Sequence, residues 1–237
     1  MTKSFKPISC ENCQCRDKGI FCDLDNTELA TIGQNKVMNG YKKGQTVFFQ
    51  GNPPFGLYCV NSGKIKISKL GNDGKESIIR VAGPGDVLGH RSLFSNEKFS
   101  ATATVLEDAA ICFIDKKFIY KAIAEKPSIS LHLIEKLSRD MGKAEDRSTS
   151  MAQKNVRERL AELLLMLKSS YGIKENKRWK LDIKLTRDEM ASMIGTASET
   201  IIRFISEFRD EGLIEQEGKT IYLLNEEALI ETANLSY

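Results

Sequence analysis

The chain is poor in histidine: among 237 residues only His90 and His132 occur, too few and too scattered to outline a haem pair or a catalytic triad. It also lacks any apolar run near the roughly 18 residues that span a bilayer. The opening MTKSFKPISC has no apolar middle section of a signal peptide, so no membrane partner is expected and the expected location is the cytoplasm. A strong charge of one sign is missing too. The formal net charge of +3 is too small to announce a nucleic-acid partner, which leaves any such conclusion to motifs. With 41% apolar residues the length suffices for one large or two ordinary domains with real cores.

What is present begins with cysteine. SCENCQCRDKGIFC, residues 9 to 22, holds Cys10, Cys13, Cys15 and Cys22. In a reducing compartment clustered thiols are more often metal ligands or redox groups than structural disulfides. A thiol oxidoreductase built on Cys10 and Cys13 would need a βαβ context that this region lacks, so no enzyme is expected. Next, in DLDNTELATIG, Asp25 or Asn26 caps a short helix that turns Leu29 and Ile32 inward, and the first 35 residues read as a small appendage.

From Gly40 to Gly89 ten of the 17 glycines separate short alternating stretches: TVFFQ, GLYCV, KIKIS, ESIIRV and DVLG. Regular turn signals between short strands argue an antiparallel roll, with Asn72, Asp73 and Gly74 at a hairpin tip and residues 101 to 115 closing it. Cys59 reads as a small apolar strand residue. After Pro127 the period changes to that of a helix, with Ile134, Leu137, Met141, Ala144 and Met151 on one stripe. That stripe suits pairing with a second copy or packing on the protein's own roll, and the residues alone leave both open. NVRERLAELLLMLKSSYG is a wider apolar helix expected to close at Gly172 through a positive φ.

From Leu185 the sequence reads LTRDEMASMIGTASETIIRFISEFRDEGLIEQEGKTIYLLN. Thr186 caps one helix, Gly195 ends it, and residues 196 to 209 form the next, with Ile201, Phe204, Ile205 and Phe208 inward. Two short helices joined at a glycine, followed by a hairpin with Gly218 at its tip, read as a winged helix-turn-helix. Glu199 and Arg203, at i and i+4, share the outer face. Arginine donates to guanine O6 and N7 and glutamate accepts from cytosine N4, so the pair suits the major groove; an ordinary surface ion pair is the plainer alternative. Residues 187 to 219 hold four basic and eight acidic side chains, so phosphate attraction must come from Lys174, Lys177, Arg178, Lys180 and Lys184.

In LYCVNSGKIKI and GPGDVLG of the roll, the long helix, and IGTASETIIRFISEFRDEGLI with its wing, the chain resembles the Crp/Fnr family of bacterial transcription regulators over essentially its whole length. The resemblance implies an α+β architecture: a cysteine-rich segment over 1–35, a cyclic-nucleotide-binding-like antiparallel β-roll over 36–126, a dimerisation helix over 127–152 and a winged helix-turn-helix DNA-binding domain over 153–237. It implies a homodimer paired through Ile134, Leu137, Met141 and Ala144, on double-stranded DNA with a two-fold symmetric site, with RNA polymerase as a partner. Thr196, Ser198, Glu199, Thr200, Arg203 and Arg187 become the implied DNA contacts. Ser198 stands where cyclic-AMP responsive members carry an arginine, so a TTGA-like half-site is expected.

The same resemblance bears on the signal. At the nucleotide site the family's Gly-Glu-Leu and Arg-Ser become Gly89, His90 and Arg91, then Phe99 and Ser100, and a phosphate buried without a cation is costly. Cyclic nucleotide is therefore disfavoured, although Arg91 or Lys98 offers a substitute charge. The Fnr branch instead holds a 4Fe-4S cluster on three N-terminal cysteines and one from the roll, which implies Cys10, Cys13, Cys22 and Cys112 as ligands, with Cys15 as an alternative. The gap from Cys13 to Cys22 is longer than in the enteric Fnr type. A structural zinc on the four N-terminal cysteines, or vestigial cysteines in a nucleotide- or haem-responsive regulator, are the alternatives.

Overall fold

The computed structural model describes residues 8–235, which divide into two compact units at Met141 and Gly142. In the first, a 3-10 turn at Arg16–Lys18 precedes α1 (Asn26–Gln34). Asp25 caps α1 in a reciprocal pair with Glu28, and Leu29 and Ile32 face inward as expected. Strands β1 (Lys36–Tyr41), β2 (Thr46–Phe48), β3 (Gly56–Leu70), β4 (Glu76–Ala82) and β5 (Val87–Leu88) follow, then α2 (His90–Ser95) and β6 (Thr102–Asp115). The sheet runs β1-β6-β3-β4, antiparallel throughout, with β2 on β6 and β5 on β3. GLYCV and KIKIS, separate stretches in the sequence reading, lie in the single long strand β3. Irregular register against β6 between Val60 and Ile65 lets one strand do the work of two.

The N-terminal segment is no appendage. Ile20, Leu24, Leu29 and Ile32 share a core with Leu57 and Ile114 of the roll, with Ile119 of α3 (Lys116–Glu125), and with Ile129 and Leu133 of α4 (Pro127–Gln153). Burying four aliphatic side chains at about 1.5–3 kcal/mol each holds the segment against the roll. A second cluster, Phe48, Val60, Ile65, Ala103, Val105 and Ile111 among it, fills the roll itself.

In the second unit, α5 (Val156–Tyr171) is capped by Asn155 in a reciprocal pair with Glu158. Its end corrects an expectation: Gly172 has φ −76°, not a left-handed value. A Cβ there would stand 2.4 Å from the Lys168 carbonyl oxygen, so glycine is required by close approach. The chain continues directly into β7 (Gly172–Glu175) and β8 (Arg178–Leu181), a hairpin that the sequence reading passed over. Then come α6 (Arg187–Ile194), α7 (Ser198–Asp210), β9 (Ile214–Glu217), β10 (Thr220–Leu223) and a closing α8 (Glu226–Thr232). The second sheet is ordered β7-β8-β10-β9, so the wing is four strands wide.

Candidate functional site

In β6, Cys112 stands opposite Cys59 of β3 and Met38 of β1. Cys112 and Cys59 line a cavity together with Cys10, Cys13 and Cys15, under an apolar wall that includes Ile20, Phe21, Leu29, Ile32 and Val87. Two backbone hydrogen bonds shape the thiol loop, Cys13 N–H to the Cys10 carbonyl and Arg16 N–H to the Cys13 carbonyl. The Asn61 amide nitrogen donates to Cys13 Sγ at 3.3 Å, and Cys15 Sγ donates to the Asn61 carbonyl at 3.3 Å.

Burial pushes the Cys15 thiol up to about 11 and raises Cys59 still further. It also raises Cys10 and Cys112, opposed in both cases by the Lys36 ammonium beside them. For Lys36 burial disfavours the charge, yet the neighbouring sulfurs of Cys112 and Cys10 outweigh it and hold the lysine above its ordinary value. Burial therefore disfavours the thiolates, and the Lys36 ammonium works the other way, toward the charged sulfurs that a metal group takes.

Of the implied ligands, the structure brings Cys10, Cys13 and Cys112 together with Cys15, and leaves Cys22 out. Ile20 and Leu24 turn into the core, while Cys22 between them meets His132 of α4, with Sγ 3.5 Å from Nε2. Cys59, Lys36 and Asn61 were not singled out from sequence as parts of the site. The cross-strand position of Cys59 opposite Cys112 was the one available signal, and it needed the register.

At the implied nucleotide positions, Phe99 is buried and stacks on Phe48 with ring centroids 4.0 Å apart, with Tyr58 completing the aromatic cluster. Gly89 begins α2 at φ +81°, and a Cβ there would press on the Phe99 ring at 3.1 Å. Arg91 and Lys98 are exposed, Ser100 is half-buried, and His90 is buried with Nε2 3.3 Å from Asp140 Oδ2.

In the second unit, Thr186 caps α6 in a reciprocal pair with Glu189, and Gly195 ends it at φ +69°. On α7, Ile201, Ile205 and Phe208 are buried, whereas Glu199, Ile202 and Arg203 are exposed. Arg203 lies 3.7 Å from Glu207 and over the Phe204 ring. Thr196 and Thr200 are half-buried, and the Ser198 hydroxyl donates to the Asp188 carboxylate. Arg187 departs from the expected outward role, since its guanidinium donates to Gln216 of the wing at 2.6 Å and is half-buried. The basic candidates divide in the same way. Arg178 is held by Glu215 and Glu217 and stacks on Tyr222, and Lys180 pairs with Glu175, while Lys174, Lys177 and Lys184 are exposed.

An antiparallel roll followed by a winged helix-turn-helix with an outward glutamate and arginine defines a DNA-binding transcriptional regulator. Residues 39–126 match the cyclic nucleotide-binding domain and residues 158–232 the Crp-like helix-turn-helix domain. The chain belongs to the Crp/Fnr family of transcriptional regulators. It is 28% identical to the CRP-like cAMP-activated global transcriptional regulator of Mycobacterium tuberculosis, over 91% of this chain and 96% of that one. To the transcriptional activator protein FnrL of Cereibacter sphaeroides it is also 28% identical, over 89% and 85%. The fold is that of FixK2 from Bradyrhizobium japonicum, with a TM-score of 0.75 at 22% identity over 85% of this chain and 99% of that one. No helix among the described residues is long and apolar enough to cross a membrane.

Proposed function

We propose that this regulator is a cytoplasmic homodimer that senses oxygen, redox state or nitric oxide through a 4Fe-4S cluster held by Cys10, Cys13, Cys15 and Cys112. The convergence of three N-terminal thiols on the cavity that Cys112 and its cross-strand neighbour Cys59 line from the roll carries the reading, with Cys15 in the place expected of Cys22. The donor set fits such a group, which is held by four cysteine thiolates, and Lys36 offsets part of their charge. When bound, it supplies redox chemistry and lability toward oxygen or nitric oxide.

What this chain adds is coupling. Cys10, Cys13 and Cys15 sit on the segment whose Ile20, Leu24, Leu29 and Ile32 share a core with Ile129 and Leu133 of α4. Joining that segment to Cys112 biases the start of α4, whose Leu131, Ile134 and Met141 are exposed in the single chain and available to a second copy. On DNA, Glu199 and Arg203 read base edges, with Ser198 and Thr200 at the front of the same helix, Thr196 in the turn before it and Lys174, Lys177 and Lys184 attracting phosphates. Ser198, engaged by Asp188, leaves the outer base of each half-site unread, in keeping with a TTGA-like palindrome. Arg187 acts by bracing the wing through Gln216. RNA polymerase is the partner that a regulator of this kind addresses. A nucleotide-responsive reading has less support, because Phe99 brings an apolar ring where a phosphate needs a cation.

Protein purified without air is expected to be straw-brown and to bleach on aeration. Cys112→Ser and Cys15→Ser should each abolish the colour and Cys22→Ser should keep it. A wild type that stays colourless when purified without air would overturn the reading, whatever zinc it carries elsewhere.

A further inference from the structure

Cys22, set aside by the cavity, lies in a second group of ligands. Cys22 and Asp23 precede α1, and His132 comes from α4, 110 positions along the chain from Cys22. Cys22 Sγ lies 3.5 Å and Asp23 Oδ2 2.6 Å from His132 Nε2, and the three ligand atoms all fall within 4.8 Å of one another. The other ring nitrogen, Nδ1, is 3.7 Å from Glu135 Oε2 one turn along α4.

We infer that Cys22, Asp23 and His132 form a zinc(II) site that clamps the N-terminal segment to helix α4, with the fourth position open to water. Thiolate, imidazole and carboxylate are the donors zinc takes, and a single Nε2 facing both other ligands is what a tetrahedral centre requires. With metal–ligand distances of about 2.0–2.3 Å, tetrahedral angles place nitrogen and sulfur about 3.5 Å apart and nitrogen and oxygen about 3.3 Å apart. The Cys22–His132 spacing already has the first value. The second is reached when Asp23, whose side chain is 63% exposed, withdraws by less than about 1 Å after the metal replaces the imidazole proton between them. Glu135, 3.7 Å from Nδ1, is one small side-chain shift from the outer carboxylate bond that orients a metal-bound histidine. On binding, the Cys22 thiol proton goes to solvent and no redox change is involved.

The site does not depend on the reading of the thiol cavity, and the two fail differently. Full-length protein is titrated with zinc(II), and with cobalt(II) as a spectroscopic probe. The spectrum lost between wild type and His132→Gln should be that of tetrahedral cobalt with a single thiolate. Zinc affinity should fall at least about a hundredfold in Cys22→Ser and His132→Gln, and about tenfold in Glu135→Gln, without loss of any colour due to the cavity thiols. Asp23→Asn, at an exposed position that does not endanger folding, should weaken zinc about tenfold. Unchanged zinc affinity in His132→Gln and Asp23→Asn would overturn the site. So would a Cys22→Ser variant that loses the brown colour while His132→Gln binds zinc as wild type does, since Cys22 would then belong to the cavity.

Discussion

His90 Nε2 lies 3.3 Å from Asp140 Oδ2, joining the first residue of α2 in the roll to α4. Lys136 meets the same carboxylate at 3.0 Å and Asp86 at 3.3 Å, and Arg80 approaches Asp86. His90 therefore contributes a contact to the helix where the resemblance implied a nucleotide ligand, and its Nδ1 is buried with no hydrogen-bond partner among the described residues.

Burial disfavours the charge on Asp140, but the bond from His90 and the Lys136 ammonium outweigh it and hold the carboxyl well below its usual range. A folded-state pKa below the unfolded one gives stability that is fully present above the unfolded value, near pH 4, and is lost as pH falls toward the folded one. Asp140→Asn should cost about 1–3 kcal/mol at neutral pH by replacing the charged acceptor that His90 and Lys136 share with a neutral amide. In denaturant melts at fixed protein concentration, the gap between variant and wild type should narrow below about pH 4. A gap constant down to pH 3 would contradict this account.

Ile134 and Met141 are 58% and 61% exposed in the single chain. On the proposed pairing through α4, Ile134→Glu or Met141→Glu should leave each chain folded and raise the dimer dissociation constant at least about a hundredfold, since an unpaired charge in an apolar seam costs about 3 kcal/mol or more. Sedimentation velocity over a concentration series reads this out. Circular dichroism should not change.

Arg203→Ala should cost about 1–3 kcal/mol on the preferred site and remove discrimination of the guanine in TGA. Lys184→Ala should weaken all sequences alike and lower the salt slope of binding by about one unit. Fluorescence anisotropy on matched and single-base-altered duplexes separates the two effects.

Gly195 takes φ +69° between α6 and α7, with Met151 Sδ 3.5 Å from where a Cβ would stand. Gly195→Ala should destabilise the protein by about 1–2 kcal/mol from the left-handed backbone alone. Gly172→Ala should also destabilise, for a different reason: its φ is ordinary but a Cβ would collide with the Lys168 carbonyl. Thermal melts of the two variants, beside Gly142→Ala, where a Cβ meets nothing within 4 Å, check this.

The starts of α1 and α6 were legible because capping is local: Asp25 with Glu28 and Thr186 with Glu189 are three residues apart, and their reciprocal bonds need no distant partner, whereas α7, expected from residue 196, begins at Ser198 with no side-chain cap. The roll and the helix-turn-helix were legible from periodicity and turn residues, as was the outward face of α7. The hairpin of β7 and β8 was not, because GIKE and RWKL are short, charged and half-exposed, and only RWKL ties the pair to the rest of the sheet, through β10.

The sequence by itself determined the roll, the long helix and the helix-turn-helix, the family resemblance and the presence of thiols enough for a metal group. Tertiary structure alone decided which thiols meet. The 3-10 turn at Arg16–Lys18 and the burial of Ile20 and Leu24 on either side of Cys22 fix the path of the chain, so Cys15 stays at the cavity with Cys112 and Cys22 is carried round to His132. Spacing along a chain bounds how far two sulfurs can lie apart, but which side of the segment each one faces is set by the side chains that must leave water.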